Sequence, residues 1–341
     1  QVLFLYGNNT KKFIYLRIYA MMDKTGLGRD RLVTTAQWYF MLVAKEQSII
    51  RAAEQLYISP QNLSNHIRRL EKEYGVLFTR YPHFKLTPAG QALLCTLQKI
   101  NTLEKGLTSE LKELREESIG TLHFGIHVIR GHVVIPRVIP KFHTEYPNIH
   151  VAVHYNNMIE NEKMLLNGAL DTFWGIDVHP LPEFNIVPLS NEEIYFVASR
   201  ELLLKNGISA CAEQISLAEL ERFPYLLSPE DSQIRKKIKP FCDSEGLMLN
   251  EVITISDYEM QLTLALQGIG ACFIPEMMLR HIEQLNLLEP ESKQLCALKV
   301  KNLTETTRLS IVTHRLAYKS KPLKCFVRLL KEEFSVPENS N

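Results

Sequence analysis

The step Ser59-Pro60 constrains this chain more than any other short stretch. A hydroxyl cap followed by proline at the first helical position, where the missing N–H costs nothing, fixes the start of a helix over PQNLSNHIRRLEKEYG. Leu63, Ile67 and Leu70 recur at i, i+4 and i+7 and set its inward face, and Gly75 supplies the stop. The outward face carries Gln61, Asn62, Ser64, Asn65 and Arg68. A merely solvated face usually carries Glu and Lys, which appear here only from Glu71 onward. Short or forked groups with matched donors and acceptors are what base edges in a major groove require.

The flanking segments fit a small three-helix unit. TTAQWYFMLVAKE presents a helical stripe with Thr34 or Thr35 as cap, and Ser48 caps a second short helix, IIRAAEQL, whose Ala52 and Ala53 permit a close helix crossing. After Gly75, VLFTRYPHFKLT reads as two short strands around a turn at Pro82-His83. Such a wing commonly grips phosphate or minor groove, which makes Arg80 and Lys85 positioning candidates. Thr87-Pro88 opens a further helix in which Leu93, Leu97, Ile100, Leu107, Leu111 and Leu114 form a near-heptad seam, interrupted by Glu104. Two readings stand for it: a helix that pairs with a second helix to form a dimer, or an amphipathic helix packed on its own domain.

Composition agrees with a two-part chain. The 341 residues are 45% hydrophobic and 23% charged, enough for about two compact domains with ordinary cores. Charge is divided unevenly: residues 1–99 hold 14 Lys+Arg and 6 Asp+Glu, a net +8, and the rest hold 25 and 32, a net −7. A basic head on an acidic body suits a nucleic-acid-facing module joined to one that avoids phosphate. No apolar run approaches the roughly 18 residues of a membrane span, and the start lacks the order of a secretory signal, so the expected location is cytoplasmic. Residues 1–33 read as an N-terminal extension, non-native or disordered, with Met21 or Met22 a more natural initiator than Gln1. Six scattered cysteines form no C-x-x-C pair and no metal spacing. No metal and no cofactor are expected. No Walker A loop, G-x-S-x-G, H-E-x-x-H or G-x-G-x-x-G occurs, so no catalytic residue is named and no enzyme is expected.

From Thr35 to about Lys99 these residues resemble the N-terminal domain of LysR-type transcriptional regulators. The likeness is carried by Phe40 and Val43, then Ser48, Ala52-Ala53, Leu56, Ser59, Leu63, Ser64, Ile67, Arg68, Leu70 and Glu71, then Leu77-Phe78, Arg80 and Leu86-Thr87-Pro88-Ala89-Gly90. The family more often has Ser-Gln-Pro where this chain has Ser59-Pro60-Gln61, and its wing is about two residues longer. The resemblance implies double-stranded operator DNA as partner, contacted through Ser59, Pro60, Gln61, Asn62, Ser64, Asn65, Arg68, Arg80 and Lys85. It also implies a homodimer or homotetramer, a small-molecule effector of unknown identity, and RNA polymerase as a further partner.

Beyond a linker ending near Ser118, the pattern alternates: GTLHFGI as strand, a helix ending at Tyr146-Pro147, IHVAVHY as strand, a helix closed at Gly168, and TFWGI as the third strand. That order implies a parallel α/β sheet. It resembles the family's effector domain, a two-lobed fold of periplasmic-binding-protein type. The expected fold is therefore α/β overall: an all-α winged helix-turn-helix (34–91), a long linker and dimerisation helix (92–118), and an effector domain (119–341). Lobe I is expected over 119–197 and 276–334 and lobe II over 198–275, with the first crossing near Ala198–Glu201 and the return at Pro275.

Ligands in such sheets bind at the carboxyl ends of strands, between lobes. Candidates are His127, Val128, Ile129 and Arg130 after the first strand, Trp174 at the third, and Ser228, Ser232, Asp257 and Tyr258 in the second lobe. Trp174 reads more readily as core than as pocket wall, and Ser232 also reads as a helix cap. Relatives often place a Ser or Thr after the first strand to hold a carboxylate, and this chain has no hydroxyl there; two placements stand for Arg130, inward, where it would take over that contact, or outside on the helix start. The expected function is a sequence-specific DNA-binding regulator responding to an effector between the lobes. Alternatives are a thiol sensor of the same family using Cys211 and Cys242, and a solute-binding protein.

Overall fold

The computed structural model describes residues 33–81, 83–114 and 119–335, without the side chains of residues 112–114. The expected extension (1–33, apart from Val33), Pro82 of the wing turn, the linker end at 115–118 and the Leu114 side chain lie outside the described residues.

Three short helices open the chain: α1 (Thr35–Glu46), α2 (Ile49–Leu56) and α3 (Pro60–Tyr74). Thr34 caps α1 in a capping box with Gln37, Ser48 caps α2, and the Ser59 hydroxyl accepts the Asn62 N–H at 3.2 Å to cap α3. Gly75 ends α3 at φ 84°, a left-handed conformation that favours glycine. Phe40, Val43, Ala52, Ala53, Leu63, Ile67 and Leu70 are all buried in one core. The wing is an antiparallel pair, β1 (Phe78–Thr79) and β2 (Lys85–Leu86), with Phe78 stacked on Phe84 and tilted against Phe40.

The 27-residue α4 (Pro88–Leu114) follows. Its leucine seam divides in two. Leu97 is buried in the helix-turn-helix core and Leu93 and Ile100 pack against it, whereas Leu107 and Leu111 are 53% and 46% exposed. The expected dimer seam is thus corrected for Leu97, which the module's own core buries, while Leu93 and Ile100 are half-buried against that core. The exposed stripe begins instead at Leu103, 52% exposed, one turn before Leu107. The same compact unit includes 163–171 and 314–320. A Cβ at Gly106 would lie 3.0 Å from the Tyr318 Cβ and 3.3 Å from its backbone N, a close approach in which Tyr318 would have to give by a few tenths of an ångström.

The second unit contains two sheets. The first has the order β4-β3-β5-β13-β6, formed by β3 (Gly120–Ile126), β4 (Ile149–Tyr155), β5 (Thr172–Ile176), β6 (Phe184–Glu192) and β13 (Thr307–His314). β3 pairs in parallel with β4 and β5, and the returning β13 pairs antiparallel with β5. Helices α5 (Val128–Glu145) and α12 (Lys321–Phe334) cover one face, with Phe124, Phe142 and Phe326 in edge-to-face contact. Between β4 and β5 the chain forms α6 (Met158–Leu166).

The other sheet has six strands: β7 (Ile194–Ser199), β8 (Gln214–Ile215), β9 (Pro224–Leu227), β10 (Asn250–Thr254), β11 (Ala271–Pro275) and β12 (Leu295–Val300), in the order β10-β9-β11-β7-β12-β8. Short helices α7 (Arg200–Lys205) and α8 (Leu217–Leu220) flank β8. Helix α9 (Gln233–Ser244) packs in one core, with Ile234 and Ile238 against Phe273, and α10 (Tyr258–Leu266) in another, with Leu262 against Ile274.

The crossings differ from the sequence expectation in both directions. The first falls at Glu193, between β6 and β7, because β7 already pairs with β11 and β12. The second falls between Val300 and Thr307, not at Pro275. Pro275 ends β11, but Met278, Ile282 on α11 (Leu279–Asn286) and Leu295 on β12 are buried with Val197 and Leu226 of the second sheet. Proline stops a strand without stating which sheet the next strand joins.

Candidate DNA-reading helix and effector crevice

On α3, Gln61, Asn62, Asn65 and Arg68 are exposed and Ser64 is half-buried, opposite the buried Leu63, Ile67 and Leu70. Arg69, absent from the sequence candidates, is exposed beside them. Ser59 and Pro60 are exposed at the helix start, although the Ser59 hydroxyl already serves as cap. Lys85 stands exposed on the wing. Arg80 is half exposed, but its Nη2 lies 3.4 Å from Glu71 Oε2. The other Glu71 oxygen accepts the backbone N–H groups of Leu77 and Phe78 at 3.2 and 3.3 Å. Glu71 therefore clamps the wing to α3. Only the break in the polar run at position 71 hinted at it, because a carboxylate's distant partners leave no periodic trace.

In the second unit, β3 runs directly into α5 with His127 as N-cap residue, so the expected loop of four candidates is helix from Val128. His127 and Val128 are exposed, and Ile129 packs among the apolar residues of the second sheet. Arg130 points inward and is 8% exposed. It does not stand open to a ligand: Nη2 donates to Glu192 Oε2 at 2.5 Å, and Nη1 to Met277 Sδ at 2.9 Å. Glu192, 4% exposed at the end of β6, also accepts the Met277 N–H through Oε1 at 3.2 Å. The pair ties the start of α5 to the crossing and to the segment after β11. The sequence leaves Arg130 open between an inward and an outward placement and does not show its two partners, which lie 62 and 147 residues away.

Trp174 is corrected to core. It is 1% exposed, packed among the first sheet's aromatic residues and edge-to-face with Phe334 at 5.1 Å, and its Nε1 has no hydrogen-bond partner among the described residues. Its side chain points to the α5 and α12 face because strand alternation puts Phe173 and Gly175 on the other.

Ser228 and Tyr258 come together. Ser228, at the end of β9, is buried and accepts a hydrogen bond from Gln261 Nε2 at 3.1 Å. Burial pushes the Tyr258 hydroxyl up to about 12, with Glu192 reinforcing and the Arg130 charge and a Ser228 hydrogen bond opposing. Arg130, Glu192, Tyr258 and Ser228 thus form one polar neighbourhood contributed by both sheets. Ser232 and Asp257 serve as helix caps: Ser232 accepts the Arg235 N–H, and Asp257 those of Glu259 and Met260. A small cavity lined by Leu227, Ser228, Ile234, Arg235, Ile238 and Phe273 has about 10 Å³ for a water-sized guest, roughly one water.

Two bridges join elements of the first sheet to helices of the second. Lys237 on α9 lies 2.9 Å from Asp177 Oδ2, just beyond β5, and His132 on α5 lies 3.3 Å from Glu259 on α10. Asp177 holds φ 45°, a left-handed conformation uncommon for a residue with a side chain, and accepts the Arg308 N–H.

The cysteines do not resemble a redox pair. Cys242 is buried, and burial, reinforced by Asp243, raises its thiol to about 11, opposite to the low value a reactive thiolate needs. Among the described residues, no group of three or more His, Cys, Asp or Glu could hold a metal ion, and no helix is long and apolar enough to cross a membrane.

A winged helix-turn-helix with an amide-rich face, on a chain that also carries a two-sheet ligand fold, defines a DNA-binding regulator with an effector domain. The family comparison agrees. The profile described as "Bacterial regulatory helix-turn-helix protein, lysR family" matches residues 38–91, and "LysR substrate binding domain" matches 115–335. The chain belongs to the LysR family of DNA-binding transcriptional regulators. It is 27% identical over 302 residues to a probable RuBisCO transcriptional regulator of Cyanophora paradoxa, covering 86% of this chain and 90% of that one. Among solved structures, full-length OxyR from Pseudomonas aeruginosa has a TM-score of 0.64 at 19% identity, covering 92% of this chain and 100% of that one. Full-length CbnR complexed with its target DNA has a TM-score of 0.52 at 18% identity, covering 87% and 98%.

Proposed function

We propose that this regulator reads its operator through Gln61, Asn62, Ser64, Asn65 and Arg68 on α3, with Lys85 and Arg80 gripping the backbone from the wing and Ser59-Pro60 setting the helix entry. The observation that carries this reading is the separation of faces on α3: Leu63, Ile67 and Leu70 are inward, and the outward side holds amides and a hydroxyl that both donate and accept, with the Arg68 guanidinium donating beside them. The exposed stripe of Leu103, Leu107 and Leu111 on α4 supports pairing with a second copy, giving a dimer or a tetramer. The effector enters the crevice around Arg130, Ser228 and Tyr258. By favouring one separation of the two sheets it shifts the assembly between arrangements with different operator affinity. No catalysis is assigned to the chain, and RNA polymerase is the partner through which a bound regulator would change transcription.

A mobility shift with the gene's own upstream region tests the reading. A salt-sensitive, sequence-specific complex is expected; the absence of any specific shift at every protein concentration would contradict it.

A further inference from the structure

The cations withdrawn from solvent around the crevice are already neutralised. Arg130 is held by Glu192 at 2.5 Å, Lys237 by Asp177 at 2.9 Å, and Arg235 by Glu251 at 2.7 Å. The first pair is the most enclosed, with side chains 10% and 4% exposed. A ligand carboxylate arriving at Arg130 would have to displace Glu192, leaving that carboxylate buried without a cation. The exchange gains one ion pair and loses an equivalent one, and adds the cost of an uncompensated buried charge. What remains unsatisfied near Ser228 is of another kind. Gln261, fully buried, donates from Nε2 to Ser228 and to the Ile255 carbonyl, which fixes the amide orientation and leaves Oε1 without a donor among the described residues. Arg235, lining the same small cavity as Ser228, has Nε and Nη1 buried without an acceptor among the described residues. The cavity that Arg235 and Ser228 line has room for about one water, which offers an acceptor without charge.

We infer that Glu192 is a specificity-determining residue of the crevice: by occupying Arg130 it excludes carboxylate effectors. This rests on the reading of the crevice as the effector site. Replacement of Glu192 by an uncharged isostere frees Arg130 and turns the crevice into a carboxylate site.

The test is calorimetric titration of the full chain with two matched probe pairs, benzoate against benzamide and acetate against acetamide, on wild type, Glu192→Gln and the Arg130→Met/Glu192→Met double variant. Wild type should show no Arg130-dependent binding of either carboxylate. Glu192→Gln should bind benzoate about tenfold or more tightly than wild type, and the double variant, which replaces the pair by apolar groups, should lose that gain while still folding. Should Glu192→Gln fail to fold, Glu192→Asp, one methylene shorter, should show a smaller gain of the same sign. No gain in either variant overturns the inference, as does wild-type benzoate binding that Arg130→Met abolishes. Benzoate binding by wild type that survives Arg130→Met would instead put the ligand elsewhere, and would overturn the crevice reading itself.

Discussion

Arg80 Nη2 lies 3.4 Å from Glu71 Oε2, across the junction between the third helix and the wing. The same carboxylate accepts two wing N–H groups, so Glu71 fixes where Arg80 and Lys85 stand relative to α3. Because the Glu71 side chain is only 14% exposed, its removal leaves two backbone donors poorly satisfied. Glu71→Ala should lower stability by about 1–3 kcal/mol, as for loss of hydrogen bonds to a charged group. It should also weaken binding to all DNA sequences alike. Denaturant unfolding and mobility shifts on specific and non-specific duplexes check both.

The two halves of α4 should respond in opposite ways. Leu97→Ala opens the helix-turn-helix core and should cost about 2–5 kcal/mol. Leu107→Glu with Leu111→Glu touches side chains that are about half exposed, so the fold should survive while the oligomer dissociates. Sedimentation velocity together with thermal melting separates the outcomes; a destabilised chain of unchanged mass would contradict the assignment.

The bridge between Asp177 and Lys237 gives stability a defined acid limit. Burial pushes the Asp177 carboxyl up, but Lys237, the Arg308 N–H and the Arg308 guanidinium together outweigh it and hold the group below the usual aspartate range. A depressed folded value means that the unfolded chain binds the proton first. The contribution is therefore fully present above the ordinary aspartate value of about 4 and disappears as pH falls through the lowered folded value. Lys237→Met should remove most of that acid-side loss, read as a flatter unfolding free energy against pH below about 4.

Much of this architecture is legible in the chain because it is local. Ser59-Pro60, Ser48, Thr34 and Gly75 act on their own helix ends, GTLHFGI and IHVAVHY alternate, and TFWGI is a short apolar run, which marks their strands. What stayed hidden depends on distant partners. Nothing near Arg130 announces Glu192, and nothing near Glu71 announces Leu77 and Phe78. The lobe crossings were misplaced for the same reason: β7 and β12 are ordinary apolar strands whose sheet is decided by pairing with β11 and with one another. On α4 the apolar spacing was correct, yet spacing alone does not say whether a stripe meets its own module or another copy.

The measurement that bears most directly on the exposed face of α3 is a salt titration of DNA affinity for Asn65→Ala, Gln61→Ala and Lys85→Ala on operator and random duplex. The two amide variants should lose about 1–3 kcal/mol on operator alone, with an unchanged salt slope. Lys85→Ala should weaken both duplexes and flatten the slope by about one unit. If Asn65→Ala and Gln61→Ala weaken random duplex as much as operator, α3 is not the reading element.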